Sequence, residues 1–341
     1  MNTPAPAAPF LQEFALRPQA LNIDRHLQRC LEQCRENGLD QLPLPGHGRT
    51  LQRWQGLAQI AAVDLNLAKL FEGHTDALAI LHECGASHVE TTGNWGVWAA
   101  EPPNARVRIV ARDGNEVRLQ GRKAWCSGAL QIDRALLTAW DEQERPYLVA
   151  VALNQPSLRI FNEAWQAVGM ASTASVDIEF ADTPAQLVGS SGQYLSRPGF
   201  WHGGGGIAAC WYGAAQALGG YLLEHCKNRD EPHALAHLGA VDAALSGART
   251  ALRETAAWID GHPGSPGEAE VRRLRAQVES AANTVLHHVG RALGATPFCH
   301  NSHFARLSAD LPVFLRQSHA ERDLAELGRQ LTEAPDGGWQ L

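Results

Sequence analysis

The sequence predicts an α+β chain in several parts: an N-terminal helical domain, a central antiparallel β-barrel or sandwich, and a C-terminal four-helix bundle. Three patterns predict it. Apolar residues recur at helical spacing up to residue 91, at a spacing of two between residues 92 and 196, and at helical spacing again from residue 197 to the end. The expected division is a tail at 1–20, a helical domain at 21–91, a β-domain at 92–196 and a bundle at 197–341.

Each element has its own signal. The Ala/Pro-rich start reads as a loosely docked tail. Leu27, Cys30, Leu31 and Cys34 share one face of a helix over 23–37, which Gly38 ends. Residues 51–70 and 75–84 read as two further helices. Alternation then marks strands at 107–111, 117–119, 135–140, 147–153, 158–161 and 176–180, with Asp113-Gly114-Asn115 as a hairpin turn. The bundle helices are expected at 207–225, 235–261, 268–293 and 304–330, the last with Pro312 early in it.

Composition excludes several classes of function. The net charge is −7 over 341 residues, and no Lys/Arg run interleaves with aromatics, so no nucleic-acid surface is expected. No apolar run approaches the ~18 residues of a membrane span. The first residues lack the basic and apolar regions of a secretory signal. Seven scattered cysteines without a Cys-x-x-Cys read as free thiols in a reducing cytoplasm, with no metal site.

The chemistry centres on Gly121-Arg122-Lys123-Ala124-Trp125-Cys126-Ser127-Gly128-Ala129, where a strand runs into a large aromatic, a thiol, a hydroxyl and a glycine. Such a set suits a planar ring: Trp offers a face, Ser a hydrogen bond, Gly close backbone approach. A Trp packed under a loop is the bland alternative.

Further on comes Trp165-x-x-x-Gly169-Met170-x-x-Thr173-x-Ser175, and near the C-terminus Leu293-Gly294-Ala295-Thr296-Pro297-Phe298. In this order the three motifs resemble the acyl-CoA dehydrogenase family of flavoproteins, over residues 65–330. The resemblance implies that family's helix–β–bundle fold and an FAD cofactor, with FMN or a reduced flavin also open. Trp125 would lie against the flavin ring, and Ser127 would offer a hydrogen bond near its reactive nitrogen. Trp98, Ala100, Cys126, Met170 and Thr173 would complete the flavin contacts on the β-domain. Arg229, Gly294, Ala295 and Arg322 would stand where the family grips the rest of the cofactor; for Arg322 a solvated charge is the equal alternative. The family's assembly implies a homodimer or homotetramer.

The chain also departs from the family. Ala100 replaces the Thr of a Thr-Glu-Pro loop, Pro103-Asn104-Ala105 replaces a Gly-x-Gly-Ser-Asp segment, and Ala171 stands where Arg is common. The catalytic Glu position falls at Ser318 and its alternative at Gly203. A serine hydroxyl cannot act alone as that base, because its pKa is far too high. His319 and His202 adjoin these positions, and imidazole handles protons near neutral pH; a structural role is the alternative for either. Gly203-Gly204-Gly205-Gly206 reads either as a flexible helix start or, preferably, as backbone drawn close to a ligand.

The expected function is a flavin-dependent oxidation of a CH–CH bond in a small molecule, such as an acyl thioester, with His319 or His202 as base and an electron-transfer partner. A flavin monooxygenase of the same fold is the second reading: Ser127 with His319 and dioxygen is similar in kind to the dibenzothiophene monooxygenase group. A catalytically silent flavin- or acyl-binding scaffold is the third.

Overall fold

The computed structural model describes residues 8–17, 25–161, 165–227, 229–333 and 339. The first residues of the expected tail, the start of the helix expected from 23, and Asn228 lie outside the described residues. Within the expected tail, Pro9–Leu16 forms a helix, α1, with Leu11 and Phe14 buried. The sequence hid it because two apolar anchors in eight residues give little periodicity. Helix α2 (Arg25–Glu36) buries the four expected residues Leu27, Cys30, Leu31 and Cys34.

Helices α3 (Thr50–Val63) and α4 (Leu65–Glu83) replace the two helices expected at 51–70 and 75–84. The break moves to Asp64, which is extended at φ −168°. Its buried carboxylate pairs with Arg17 at 2.9 Å and Arg306 at 3.5 Å. Such partners, remote in sequence, leave no local signature. The helix runs on through Gly73, where a Cβ would make only ordinary contact with Val97 N at 3.8 Å.

Among the described residues seven strands follow: β1 (Trp95–Trp98), β2 (Val107–Asp113), β3 (Glu116–Cys126), β4 (Arg134–Trp140), β5 (Pro146–Ala152), β6 (Leu158–Phe161) and β7 (Val176–Val188). The sheet closes on itself: β4 pairs with β5, β5 with β7, β7 with β3, β3 with β2, and β2 returns to β4 where Arg108 meets Trp140. The alternative of barrel or sandwich thus resolves to a barrel. Two pairings, β1–β4 and β2–β4, are parallel, against the expected all-antiparallel pattern. β1 escapes sequence reading because Trp95, Gly96 and Trp98 are all buried and do not alternate with polar residues. One core is built by Ala77, Ile80 and Leu81 of α4 against Trp95, Leu136, Leu148 and Val188 of the strands. His74 Nδ1 accepts the Trp95 N–H at 3.2 Å, so its Nε2 carries the hydrogen that faces Asp40 at 3.2 Å.

A short helix, α5 (Gln193–Ser196), precedes α6 (Gly199–Lys227), α7 (Pro232–Gly261), α8 (Glu268–Leu293), α9 (Thr296–His300), α10 (Ser302–Phe314) and α11 (Glu321–Glu333). The last expected helix, 304–330, is therefore two, α10 and α11, parted where Ser318 is extended and Ala320 takes a positive φ of 45°.

The packing divides the chain into two units. Of the described residues, one takes those up to Phe14, 25–42 and Asn66–Phe200, hence α2, α4, the barrel and α5; the other takes 15–17, Pro43–Leu65 and those from Trp201 on, hence α3 and the late helices. Although early in sequence, α3 belongs with the late helices. Thr50 Oγ1 donates to Asp260 at 2.6 Å, and His303 Nε2 donates to Ala62 O at 2.9 Å.

The four glycines lie inside α6 rather than at a free helix start. A Cβ at Gly205 would stand 2.5 Å from the Trp54 ring, and one at Gly206 3.0 Å from Leu57. At Gly205 and Gly206 backbone is indeed drawn close, and what it meets there is α3.

Candidate functional site

On the barrel, the Gly121–Ala129 stretch is the end of β3 and the turn after it. Gly121 has φ 119°, and a Cβ there would meet Arg106 O at 2.4 Å, which only glycine avoids. Between the pairs Lys123↔Ile178 and Cys126↔Val176 the strand carries one residue more than its partner. This is a β-bulge, the device by which a strand re-aims a side chain. Trp125 sits on it at φ 61° and is 58% exposed, while Lys123, Ala124 and Cys126 on either side are buried. A bulky residue held left-handed costs about 1–3 kcal/mol and survives where the surroundings fix it.

The surroundings do fix it. Trp98 Nε1 donates to Ser127 O at 3.1 Å, and Gly128 N–H donates to Thr173 O at 2.7 Å. Gly128 itself is at φ 73°, and a Cβ there would collide with Leu70 at 2.4 Å. The second motif is a 3-10 turn, Ala171–Thr173, flanked by Met170 at φ 58° and Ala174 at φ 37°. Thr173 Oγ1 donates to Met170 O at 2.8 Å, and Ser175 Oγ lies 2.7 Å from Ser127 Oγ and 3.3 Å from Thr173 Oγ1. Thus the structure joins the two sequence motifs, Trp125-x-Ser127 and Met170-x-x-Thr173, in one hydrogen-bonded turn.

Other expected flavin contacts on the barrel are placed differently. Cys126 is buried, its Sγ faces Lys123 O at 3.4 Å, and burial pushes its thiol far up. Its side chain therefore serves the core, against the expectation that it helps to hold a cofactor. Trp98, Met170 and Thr173 are buried as well, and act from beneath the turn. Ala100 is exposed on the loop after β1. Next to it Glu101 takes a hydrogen bond from the fully buried Lys123 at 2.7 Å and another from Thr138, whose hydroxyl accepts from Lys123 at 2.6 Å. Burial lowers the Lys123 pKa below 10.5, against the pull of Glu101.

In the helical unit, His319 lies between α10 and α11 with its side chain 60% exposed. Its N–H donates to Asp323 at 3.1 Å, and its Nδ1 is 3.6 Å from the same carboxylate. Arg272 holds Asp323 from the other side at 2.6 Å. Burial works to raise the Asp323 pKa, but the His319 N–H, the His319 ring and Arg272 together hold it below its ordinary value. Ser318 Oγ accepts the Ala320 N–H at 3.1 Å. A groove of about 680 Å³ opens beside them, lined by Arg272, Arg275, Glu279, Arg316, Ser318 and Asp323 among others.

His202 is a correction. It is 2% exposed, its ring lies against Gly46, and its Nε2 is bonded to Ser265 O at 2.9 Å. That imidazole ties the start of α6 to the turn after α7 and is not presented as a base. Arg229 is exposed between α6 and α7, 3.7 Å from Glu231. Gly294, at φ 63°, and Ala295 form the exposed corner between α8 and α9, and Arg322 is exposed in the first turn of α11. Sequence reasoning did not assign a site role to Ser175 or Lys123. Both stand inside the quoted motifs; for Lys123 the signal is a charged side chain at a position that the alternation points inward, while Ser175 lies before β7 and has no such signal.

No protein-family model matches the sequence, and no curated protein matches it. Solved structures do. The dibenzothiophene monooxygenase TdsC from Paenibacillus sp. A11-2 is similar at 17% identity, over 95% of both chains, with a TM-score of 0.74. The methanesulfinate monooxygenase MsuC from Pseudomonas fluorescens is similar at 19% identity, over 95% of both chains, with a TM-score of 0.75. KijD3, in complex with FMN and dTDP-3-amino-2,3,6-trideoxy-4-keto-3-methyl-D-glucose, gives 17% identity over 97% of this chain and 96% of that one, with a TM-score of 0.78. The chain has the fold of these flavoproteins, the acyl-CoA dehydrogenase fold.

Proposed function

We infer that the protein is a flavin-dependent oxidoreductase that works as a monooxygenase on a small organic molecule. The observation that carries this is the barrel turn: an exposed Trp125 ring raised on a bulge, with the Ser127 hydroxyl two residues on and anchored from within by Ser175. A planar ring needs a face and a directional partner, and the turn offers both. The residues present therefore fit a flavin ring. Trp125 would hold its face and Ser127 its edge, with Trp98 and Gly128 fixing the turn. FMN is the form named for KijD3 and for a TdsC structure, so we infer FMN ahead of the FAD that the sequence suggests. When bound in reduced form with dioxygen, the flavin supplies two electrons, one oxygen atom passing to the substrate and the other leaving as water.

Two features favour oxygenation over ordinary acyl-CoA dehydrogenation. No carboxylate stands at the expected base positions, Ser318 and Gly203. Two of the similar structures are named as monooxygenases. His319 is the imidazole we assign to carry a proton, with Asp323 orienting it. The same His–Asp pair supports a second reading, oxidation of a CH–CH bond with His319 taking the substrate proton. A homodimer or homotetramer and a cytoplasmic location belong to this proposal.

The test is the visible spectrum of the purified protein, with the released chromophore identified by mass. Substrate-dependent oxygen uptake with reduced flavin supports the monooxygenase. Anaerobic bleaching of bound flavin by acyl thioesters supports the dehydrogenase. A protein that takes up neither oxidised nor reduced flavin overturns both and leaves a silent scaffold.

A further inference from the structure

We propose that Thr173 and Ser175 decide whether the Ser127 hydroxyl accepts or donates a hydrogen bond on its open side, and thereby which redox form of a flavin is held more tightly. The proposal rests on the flavin reading above.

It follows from counting protons along three hydroxyls. Each hydroxyl has one hydrogen to give and two lone pairs to receive. Thr173 Oγ1 gives its hydrogen to Met170 O, 2.8 Å away, because a carbonyl only accepts. Toward Ser175, 3.3 Å away, Thr173 is then only an acceptor, so Ser175 is the donor of that bond. Its one hydrogen is now used. In the 2.7 Å bond between Ser127 and Ser175, Ser127 must therefore give and Ser175 receive. With all three bonds made, the Ser127 hydrogen points inward and only lone pairs face outward.

The alternative needs one change. The 3.3 Å link is long for a bond between hydroxyls, and is the weak member of the chain. If Ser175 turns its hydrogen from Thr173 to Ser127, the Ser127 hydrogen is released outward and that residue becomes a donor. The chain thus has two directions, separated by one weak bond. A reduced flavin carries a hydrogen on its central ring nitrogen and asks for an acceptor; the oxidised form presents a lone pair there and asks for a donor. With Thr173 in place the chain is set for the reduced form, the form that a monooxygenase receives.

Thr173→Val keeps the shape of the side chain and removes the acceptor. Ser175 then has only Ser127 to donate to, and the outward donor state prevails. Taking a net hydrogen bond at about 1 kcal/mol, the ratio of Kd for reduced FMN to Kd for oxidised FMN rises about fivefold. Thr173→Ser restores the ratio. Ser175→Ala raises it too, since Ser127 loses its inner partner, and in that background Thr173→Val has no further effect.

The experiment is anaerobic titration of wild type and these variants with oxidised and with reduced FMN, followed by fluorescence, with thermal unfolding of each variant alongside. A raised ratio in Thr173→Val, its return in Thr173→Ser and silence in the Ser175→Ala background support the relay. If Thr173→Val does not fold, Ser175→Ala against wild type decides, because Ser175 is only half-buried. Unchanged ratios in variants that bind both forms overturn the relay and leave the flavin reading standing. A wild type that binds neither form overturns both.

Discussion

The barrel turn and the α10–α11 corner hold the two groups assigned to chemistry, Ser127 and His319, in opposite ways. Around Ser127 the backbone itself is committed: a bulge, two obligatory glycines, and hydrogen bonds from Trp98 and Gly128 that hold the loop on both sides. Around His319 the side chain is met by one carboxylate, Asp323, and the backbone by the first turn of a helix with no buried residues. The first region is fixed by its backbone; the second presents a largely exposed side chain beside a helix start. In the proposed function, binding geometry falls to the barrel turn and proton handling to the corner.

The largest effect expected is from Gly121→Ala. The new Cβ meets a backbone oxygen, and φ is unfavourable for any side chain, so urea unfolding loses about 3 kcal/mol. A loss under ~1 kcal/mol would mean that the barrel turn is no more committed than the corner.

Next comes Glu101→Ala, which strands the buried Lys123 ammonium beside Thr138 alone. Breaking buried pairs costs about 3–5 kcal/mol; with Glu101 partly exposed, about 2 is expected at pH 7. The folded-state pKa of Lys123 is already lowered, so between that value and 10.5 the unfolded chain binds the proton and the native one does not. Stability therefore rises with pH in that window, and the variant, whose Lys123 falls further, recovers sooner. Its deficit shrinks from pH 7 to pH 10 in parallel denaturant curves; a constant deficit would count against the buried charge as its cause.

At the corner the effects are smaller. Asp323→Asn weakens the cap on His319 N–H and the pair with Arg272, for a loss of about 1 kcal/mol at pH 7. The folded-state pKa of Asp323 is lowered, so its contribution is present above the ordinary value of 3.8 and disappears as pH falls through the folded value. Thermal unfolding of variant and wild type should converge in that acid range. Smallest is Arg322→Ala, exposed and expected within about 0.5 kcal/mol of wild type. A large change there would show that the Arg322 side chain itself helps to hold the corner.

The same contrast explains what sequence reasoning reached. The strands around the barrel alternate, and Gly121 and Gly128 stand where no other residue fits, so the turn announces itself locally. The Asp64 break depends on Arg17 and Arg306, and the Ser318–Ala320 break on a left-handed alanine, which no periodicity reveals. His202 and His319 were equal candidates as sequence, both next to a missing Glu. Only burial separates them: one ring is bonded to Ser265 O and the other is open. The four glycines showed that backbone comes close, but not that Trp54 and Leu57 are what it meets.

The regrouping of α3 has a consequence for biosynthesis. Its partners are 210 residues away at Asp260 and 241 away at His303. At about 5–20 residues per second, a ribosome needs about 10–50 s to supply them after α3 has emerged. Until α6 emerges with Gly205 and Gly206, the apolar face carrying Trp54 and Leu57 has no native cover, and the polar ties to Asp260 and His303 close later still. The nascent chain thus carries an uncovered apolar helix while its barrel is already being made.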